Sequence, residues 1–274
     1  MVDAVLLILR EVLEAALILS LLLALSRKYE LNTCWCWFAL AGGFLGSWLL
    51  AHFAYNITEA MEAIGQEVLN VVLYLIVVVC LILLSLLLIP LAYALKLTRR
   101  LETIAAFKRQ QPLLWPLFIV IVSFSLAREG SEIWIYLSDF SRKPDEILSV
   151  LIGVAIGAGI GMSLGAITYY FLLFMSDKIF MPLFITVITL LSGGLSMQIA
   201  KQLMQAGLLT SSDPLWDSSM LISEQSWLGE LLYALLGYDA QPTPVQGVFY
   251  LLTTIPIVAS AGWHWWRLKA NAGK

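Results

Sequence analysis

The chain has 274 residues, of which 60% are hydrophobic and 13% charged, with a formal net charge of −3. Soluble domains carry about 25% charged residues, so this chain cannot cover a water-facing surface and must place most of its exterior in lipid. No basic stripe with interleaved aromatics marks a nucleic-acid partner, and Cys34, Cys36 and Cys80 contain no C-x-x-C pair and read as apolar filler.

Seven apolar stretches are long enough to cross a hydrocarbon core of about 30 Å. The first, Val5 to Ser26, is interrupted by Arg10, Glu11 and Glu14 and precedes no small-residue cleavage site, so it reads as a retained helix rather than a signal peptide. The second, Cys34 to Tyr55, carries Gly42, Gly43 and Gly46, with His52 near one end as a packing or interfacial residue. The third, Val68 to Leu95, is long for the membrane and predicts tilt or protrusion. The fourth, Leu113 to Ser138, holds Arg128, Glu129 and Glu132. The fifth, Ile147 to Met175, repeats glycine every four residues from Gly153 to Gly165, a close-packing face that also suits sliding between halves. The sixth, Ile179 to Gln205, brings Met181, Met197 and Met204, read as core. A segment from Ala206 to Gln246 follows, whose apolar residues at near-helical spacing predict short helices lying on the bundle as a lid. The seventh stretch, Val248 to Leu268, sets His264 among Trp263, Trp265 and Trp266 as an aromatic belt.

Basic residues follow the first stretch (Arg27, Lys28), the third (Lys96, Arg99, Arg100, Lys108, Arg109) and the seventh (Arg267, Lys269, Lys274). The connection after the second stretch offers Glu59, Glu62 and Glu67, and the segment after the sixth is acidic. The Lys/Arg bias therefore predicts an outer amino terminus and a cytoplasmic carboxyl terminus, with Arg142 and Lys143 dissenting. Helices 1 to 3 and 4 to 6 repeat one order of features, a charged motif and then a glycine-rich helix. With three helices per half, the halves must be inverted in the membrane. The expected architecture is all-α: a first three-helix repeat over 1–95, a basic cytoplasmic loop over 96–112, a second repeat over 113–205, the outer segment over 206–246, and a seventh helix with its tail over 247–274.

The chemistry lies in two copies of R-E-x-x-E, at Arg10 to Glu14 and Arg128 to Glu132. One ionised side chain at the centre of a membrane helix costs about 2.5–3.5 kcal/mol on insertion scales. Part of this is offset within each motif, because residues four apart are neighbours and each Arg can pair with the second Glu. Four carboxylates against two guanidiniums still leave about −2, which a multivalent cation neutralises. Counting about 1.5 Å per residue puts Glu14 and Arg128 at one depth, with Glu132 nearer the outer surface. Glu14 and Glu132 are accordingly expected to face one shared cavity reachable from outside. Carboxylates without His or Cys make a hard oxygen site, suited to ferric iron, calcium or manganese rather than copper or zinc. A purely structural reading, two ion pairs knitting helices 1 and 4 together, accounts for only half of each motif. Glu67 and Asp217 are placed on the way in. No nucleophile–base pair or His cluster supports an enzyme.

At these residues, R-E-V-L-E-A from Arg10 and A-R-E-G-S-E from Ala127, the sequence resembles the oxidase-dependent iron permease family. Ala206-Gly207-Leu208 and Leu236-Gly237-Tyr238 extend the likeness along nearly the whole chain. The resemblance implies iron as transported substrate, with no resident cofactor. It implies that Glu11, Glu14, Glu129 and Glu132 bind and pass iron while Arg10 and Arg128 position them. It also implies inward transport across a plasma or bacterial inner membrane, with iron supplied by an oxidase or a periplasmic iron-binding protein. The rival readings are a carrier of another cation such as manganese or lead, and a non-transporting subunit whose acidic motifs dock an oxidase.

Overall fold

Seven long helices account for most of the chain in the computed structural model, which describes residues 2–60, 64–94, 100–140, 144–210, 213–223, 226, 228–229, 232–233 and 237–272. They are α1 (Val2–Lys28), α2 (Trp35–Ala60), α3 (Gly65–Ala94), α4 (Arg100–Phe140), α5 (Pro144–Phe174), α6 (Asp177–Gln205) and α7 (Pro244–Ala272). Six of them are long and apolar enough to cross a membrane. The exception is α1, whose middle carries Arg10, Glu11 and Glu14. The chain is thus an all-α, multi-pass membrane protein.

The seven apolar stretches all lie in helices, and the difference falls at the start of α4. Residues 100–112, read from sequence as part of a loop, continue this helix for three further turns, through Pro112 and Pro116. The most apolar stretch begins at Leu113, but the helix begins earlier, because Ile104 and Phe107 bury one face of the extension. Phe107 stacks on Tyr29 at 4.1 Å, and Trp115 Nε1 donates to the carbonyl of Asn32 at 3.1 Å. Arg142 and Lys143 lie outside the described residues, as do Glu62 and Trp227.

α1 packs chiefly on α5, α2 on α4 and α3 on α6, while α7 lies against α6 and α3. Exchanging α1 with α4, α2 with α5 and α3 with α6 leaves this pairing unchanged, as a two-fold relation between the halves requires. Glycines set both close pairs. A Cβ on Gly46 would sit 2.7 Å from the Ala127 Cβ of α4, and one on Gly161 would sit 2.9 Å from Val12 Cγ1 of α1. The glycine-rich helix of each half therefore packs beside the charged motif of the other half, which holds the two motif helices in register.

The two ends of the bundle differ. Where α1 ends and α4 and α6 begin, Tyr29, Trp35, Phe107, Phe118, Phe180 and Phe184 are fully buried and form a dry aromatic core. Lys28 is buried there too. Its ammonium donates to the carbonyls of Leu173 and Met175 at the end of α5, lies 3.4 Å from Asp177 and sits over the Phe180 ring at 4.8 Å. At the other end the chain from 213 to 223 runs in turns and extended stretches, and helix is present at 228–229 and 232–233. The expected short helices are thus found only in part among the described residues.

This outer segment is fastened at Gly237, whose φ of +66° suits glycine and whose added Cβ would meet Gly194 Cα of α6 at 2.0 Å. Gly237→Ala combines a left-handed strain of about 1–2 kcal/mol with a backbone clash that no rotamer relieves. We expect it to lift the segment from α6, and faster cleavage of 206–246 by protease added from outside would register this. Cleavage at the wild-type rate would show the contact to be slack.

Candidate functional site

Both motifs meet in the middle of the bundle. Each forms the expected bond along its own helix: Arg10 Nε lies 3.5 Å from Glu14 Oε1, and Arg128 Nη1 donates to Glu132 Oε1 at 2.8 Å. Among the described residues, the ion pairs between the two motifs all run through Arg128. Its Nη2 donates to Glu14 Oε2 at 3.2 Å and to Glu129, and lies 4.0 Å from Glu11 Oε2. One guanidinium thus reaches all four motif carboxylates. Glu11, Glu14, Arg128 and Glu129 are buried, whereas the side chains of Arg10 and Glu132 are about a third exposed, at 34% and 32%.

The electrostatics are unbalanced. Glu11, Glu14 and Glu129 are buried carboxylates gathered on one guanidinium, that of Arg128. Like charges gathered in this way favour a proton or a cation among them. Glu11 Oε2, Glu14 Oε1 and Glu129 Oε2 are buried without a hydrogen bond of ordinary geometry. Buried acceptors left in this state are unusual and call for an explanation. Even so, no group of three or more His, Cys, Asp or Glu converges at metal-holding distance among the described residues. The reason is visible in the geometry: the guanidinium occupies the centre and spaces the carboxylates around itself.

Two tyrosines complete the site, and sequence reasoning missed both. The Arg128 guanidinium lies 4.5 Å over the ring of Tyr74 from α3, and that of Arg10 lies 3.9 Å over Tyr233 from the outer segment. A planar cation on an aromatic face contributes up to about 2 kcal/mol once desolvated. Nothing local marks these tyrosines, since α3 is apolar on all sides and Tyr233 reaches the site only through the fastening at Gly237. Arg10→Lys tests the stacking: a point ammonium keeps the charge but not the planar fork. We expect uptake of the transported ion to fall about tenfold, the equivalent of losing roughly 1.4 kcal/mol of positioning; an unchanged rate would make Arg10 a mere counter-ion.

Among the cavities formed by the described residues, Glu14 and Glu132 line different ones, where a shared one was expected. Glu14 lines two small ones of about 20 Å³ each, one with Tyr74, Arg128 and Glu129, the other with Gln198 and Tyr233. Each has room for a single water. Glu132 instead lines a polar vestibule of about 430 Å³ at the end of the bundle opposite the aromatic core, with Gln66, Glu67, Asn70, Tyr136, Gln202 and Gln205. Arg128, bonded to Glu132 on one side and Glu14 on the other, links a vestibule residue to the inner site.

Of the two residues placed on the way in, Glu67 is in the vestibule, with its Oε2 buried and unbonded. Asp217 is not. It stands exposed on the outer segment, where the hydroxyl and backbone N–H of Ser219 and the Gln241 amide hold its carboxyl below the usual range. His52 stacks on Trp48 at 5.6 Å on an exposed face of α2, and His264 bonds the Ser260 carbonyl, so both keep the packing and interfacial roles expected of them.

Compared with known sequences, the chain matches the iron permease FTR1 family over residues 1–261. Neither the curated proteins nor the solved structures gave a match.

Proposed function

From the premise that this chain belongs to the iron permease FTR1 family, a family of transporters rather than enzymes, we propose that iron enters at the vestibule and crosses between the two R-E-x-x-E motifs. Iron is the substrate and the bilayer the medium. The observation that carries the reading is the meeting of Glu11, Glu14, Glu129 and Glu132 at one guanidinium, midway between an open polar end and a closed aromatic one.

Glu67 and Glu132 collect the cation in the vestibule, where oxygen ligands predominate and favour a hard ion such as ferric iron. Glu14, Glu11 and Glu129 take it next. The aromatic core around Tyr29 must then part before the ion reaches the other side. The Lys/Arg bias makes the vestibule end external and the transport inward, across a plasma or bacterial inner membrane. Ferric iron delivered by an oxidase or a periplasmic iron-binding protein fits a hard, acidic mouth. A docking subunit would present its carboxylates, whereas three of these four are buried.

Purified chain in proteoliposomes, offered ferrous iron or ferric iron held by a weak chelator, tests the proposal. Iron is expected to accumulate inside, and more slowly at limiting iron in Glu67→Gln, by about tenfold if this carboxylate sets capture. Failure to move iron in either valence would favour the docking reading, and faster movement of manganese or lead would favour another cargo.

A further inference from the structure

The two motifs are alike in sequence but not in use. Arg10 contacts one motif carboxylate, Glu14, and is a third exposed. Arg128 is buried and touches the carboxylates of both motifs, with one face laid on Tyr74. Meanwhile three carboxylate oxygens around it lack hydrogen bonds, and among the described residues no three of the carboxylates converge at metal-holding distance. A residue that merely positions ligands would hold them in a geometry ready to bind. Arg128 holds them in one that is not.

We propose that Arg128 is a tethered placeholder cation: it occupies the position of the transported ion in the empty protein, and the ion must displace it. The proposal rests on the reading of the motifs as the transport site. On arrival of the ion the guanidinium gives up Glu14 and Glu129 and withdraws along the Tyr74 ring, where a delocalised cation keeps favourable contact with an aromatic face. The carboxylates then close on the ion, and when it leaves, Arg128 returns and prevents it from rebinding.

Specificity follows from the exchange. A monovalent ion offers the carboxylates no more charge than the guanidinium it replaces, whereas Coulomb attraction grows in proportion to the charge of a multivalent ion. The empty site is therefore closed to sodium and potassium without any dedicated filter, and it avoids standing as four uncompensated carboxylates in a low-dielectric interior.

The test is equilibrium binding of ferric iron, supplied as its citrate complex, to the full chain in lipid nanodiscs. Wild type is expected to bind, and Glu14→Gln to bind weakly; if the two bind alike, or neither binds, the transport-site reading fails and the placeholder with it. Given that result, Arg128→Ala is expected to bind iron about tenfold tighter or more, since removing a competitor returns the fraction of sites it blocked. Millimolar guanidinium, which fits the space left by the side chain, is expected to weaken binding again in Arg128→Ala and not in wild type. Weaker binding in Arg128→Ala, or no response to guanidinium, would overturn the placeholder while leaving the site intact.

Should Arg128→Ala fail to fold, Tyr74 gives an independent answer. Tyr74→Leu, which removes the resting ring, is expected to weaken iron binding severalfold, and Tyr74→Phe, which keeps it, to match wild type. Equal binding in both variants would overturn the proposal. Loss in Tyr74→Phe as large as in Tyr74→Leu would do so too, by assigning the effect to the hydroxyl.

Discussion

Glu14→Gln inserts into the membrane as wild type does and moves almost no iron. This is the largest functional effect we expect, and it follows from the position of Glu14 between both cavities and both arginines. The amide keeps the shape of the side chain but removes one hard anionic ligand of the ion. Arg128 keeps Glu11, Glu129 and Glu132, so the fold is expected to hold. Loss of about 3 kcal/mol in binding the ion corresponds to roughly a hundredfold loss of uptake at limiting iron. Glu132→Gln is expected to be milder, because Glu132 is a third exposed and Arg128 keeps its other partners. Uptake measured with the same quantity of reconstituted protein decides the matter. Robust transport by both variants would sink the mechanism proposed here.

The largest structural effect belongs to Gly157→Ala. A Cβ there would sit 2.6 Å from the Val5 carbonyl oxygen and 3.0 Å from the Leu9 nitrogen, both backbone atoms of α1. Neither can rotate away, so the methyl group must separate α1 from α5. Overpacking in a well-filled interface costs about 1–3 kcal/mol, and close backbone approach is what holds such helix pairs together in lipid. In a chain of this size each kcal/mol lowers the melting temperature by about 2–4 °C, so a fall of several degrees is expected in detergent. Two residues along the same helix, Gly159 has nothing within 4 Å of its would-be Cβ. Gly159→Ala is expected to melt as wild type does. Equal melting of Gly157→Ala and wild type would mean that α1 and α5 are not in this contact.

Much of this was legible in the sequence, for reasons that the membrane supplies. Lipid demands long apolar helices, so all seven stretches could be located before any coordinates were at hand. Charges in such helices have few explanations, so Arg10, Glu11, Glu14, Arg128, Glu129 and Glu132 stood out. The glycines of α5 read as a packing surface from their four-residue spacing, and the contact of Gly161 on Val12 is of that kind, as is that of Gly46 in α2 on Ala127. The pairing of both motifs with their own second Glu followed from helical spacing alone.

What stayed hidden depends on neighbours far away in the chain. Nothing in R-E-V-L-E and R-E-G-S-E tells which arginine will sit at the centre. That is settled by Tyr74 on α3 and by an outer segment fastened at Gly237. Counting depth along a helix placed Glu132 nearer the surface, but it could not show that Arg128 would be bonded to both Glu132 and Glu14. The extension of α4 over 100–112 is not marked by apolarity, because it is a half-buried helix whose buried face is set by contacts such as Phe107 on Tyr29. Asp217 suits either a solvated outer face or the capture of cations by its sign, and its hydrogen bonds to Ser219 and Gln241 on an exposed loop accord with the first.

The contrast between the two ends of the bundle has an electrical consequence. A polar vestibule of about 430 Å³ conducts as water does, while the core around Tyr29, Phe107 and Phe180 is as insulating as oil. On the proposed reading, a water-filled vestibule concentrates the membrane voltage on the apolar span from Glu14 to Tyr29, about 22 Å by helix rise, rather than on the whole ~30 Å of bilayer. Each elementary charge moved through the full drop is worth about 2.3 kcal/mol per 100 mV. For the ferric cargo and inward passage proposed above, an ion of charge three gains about three times that over this span, a driving force available for parting the aromatic seal.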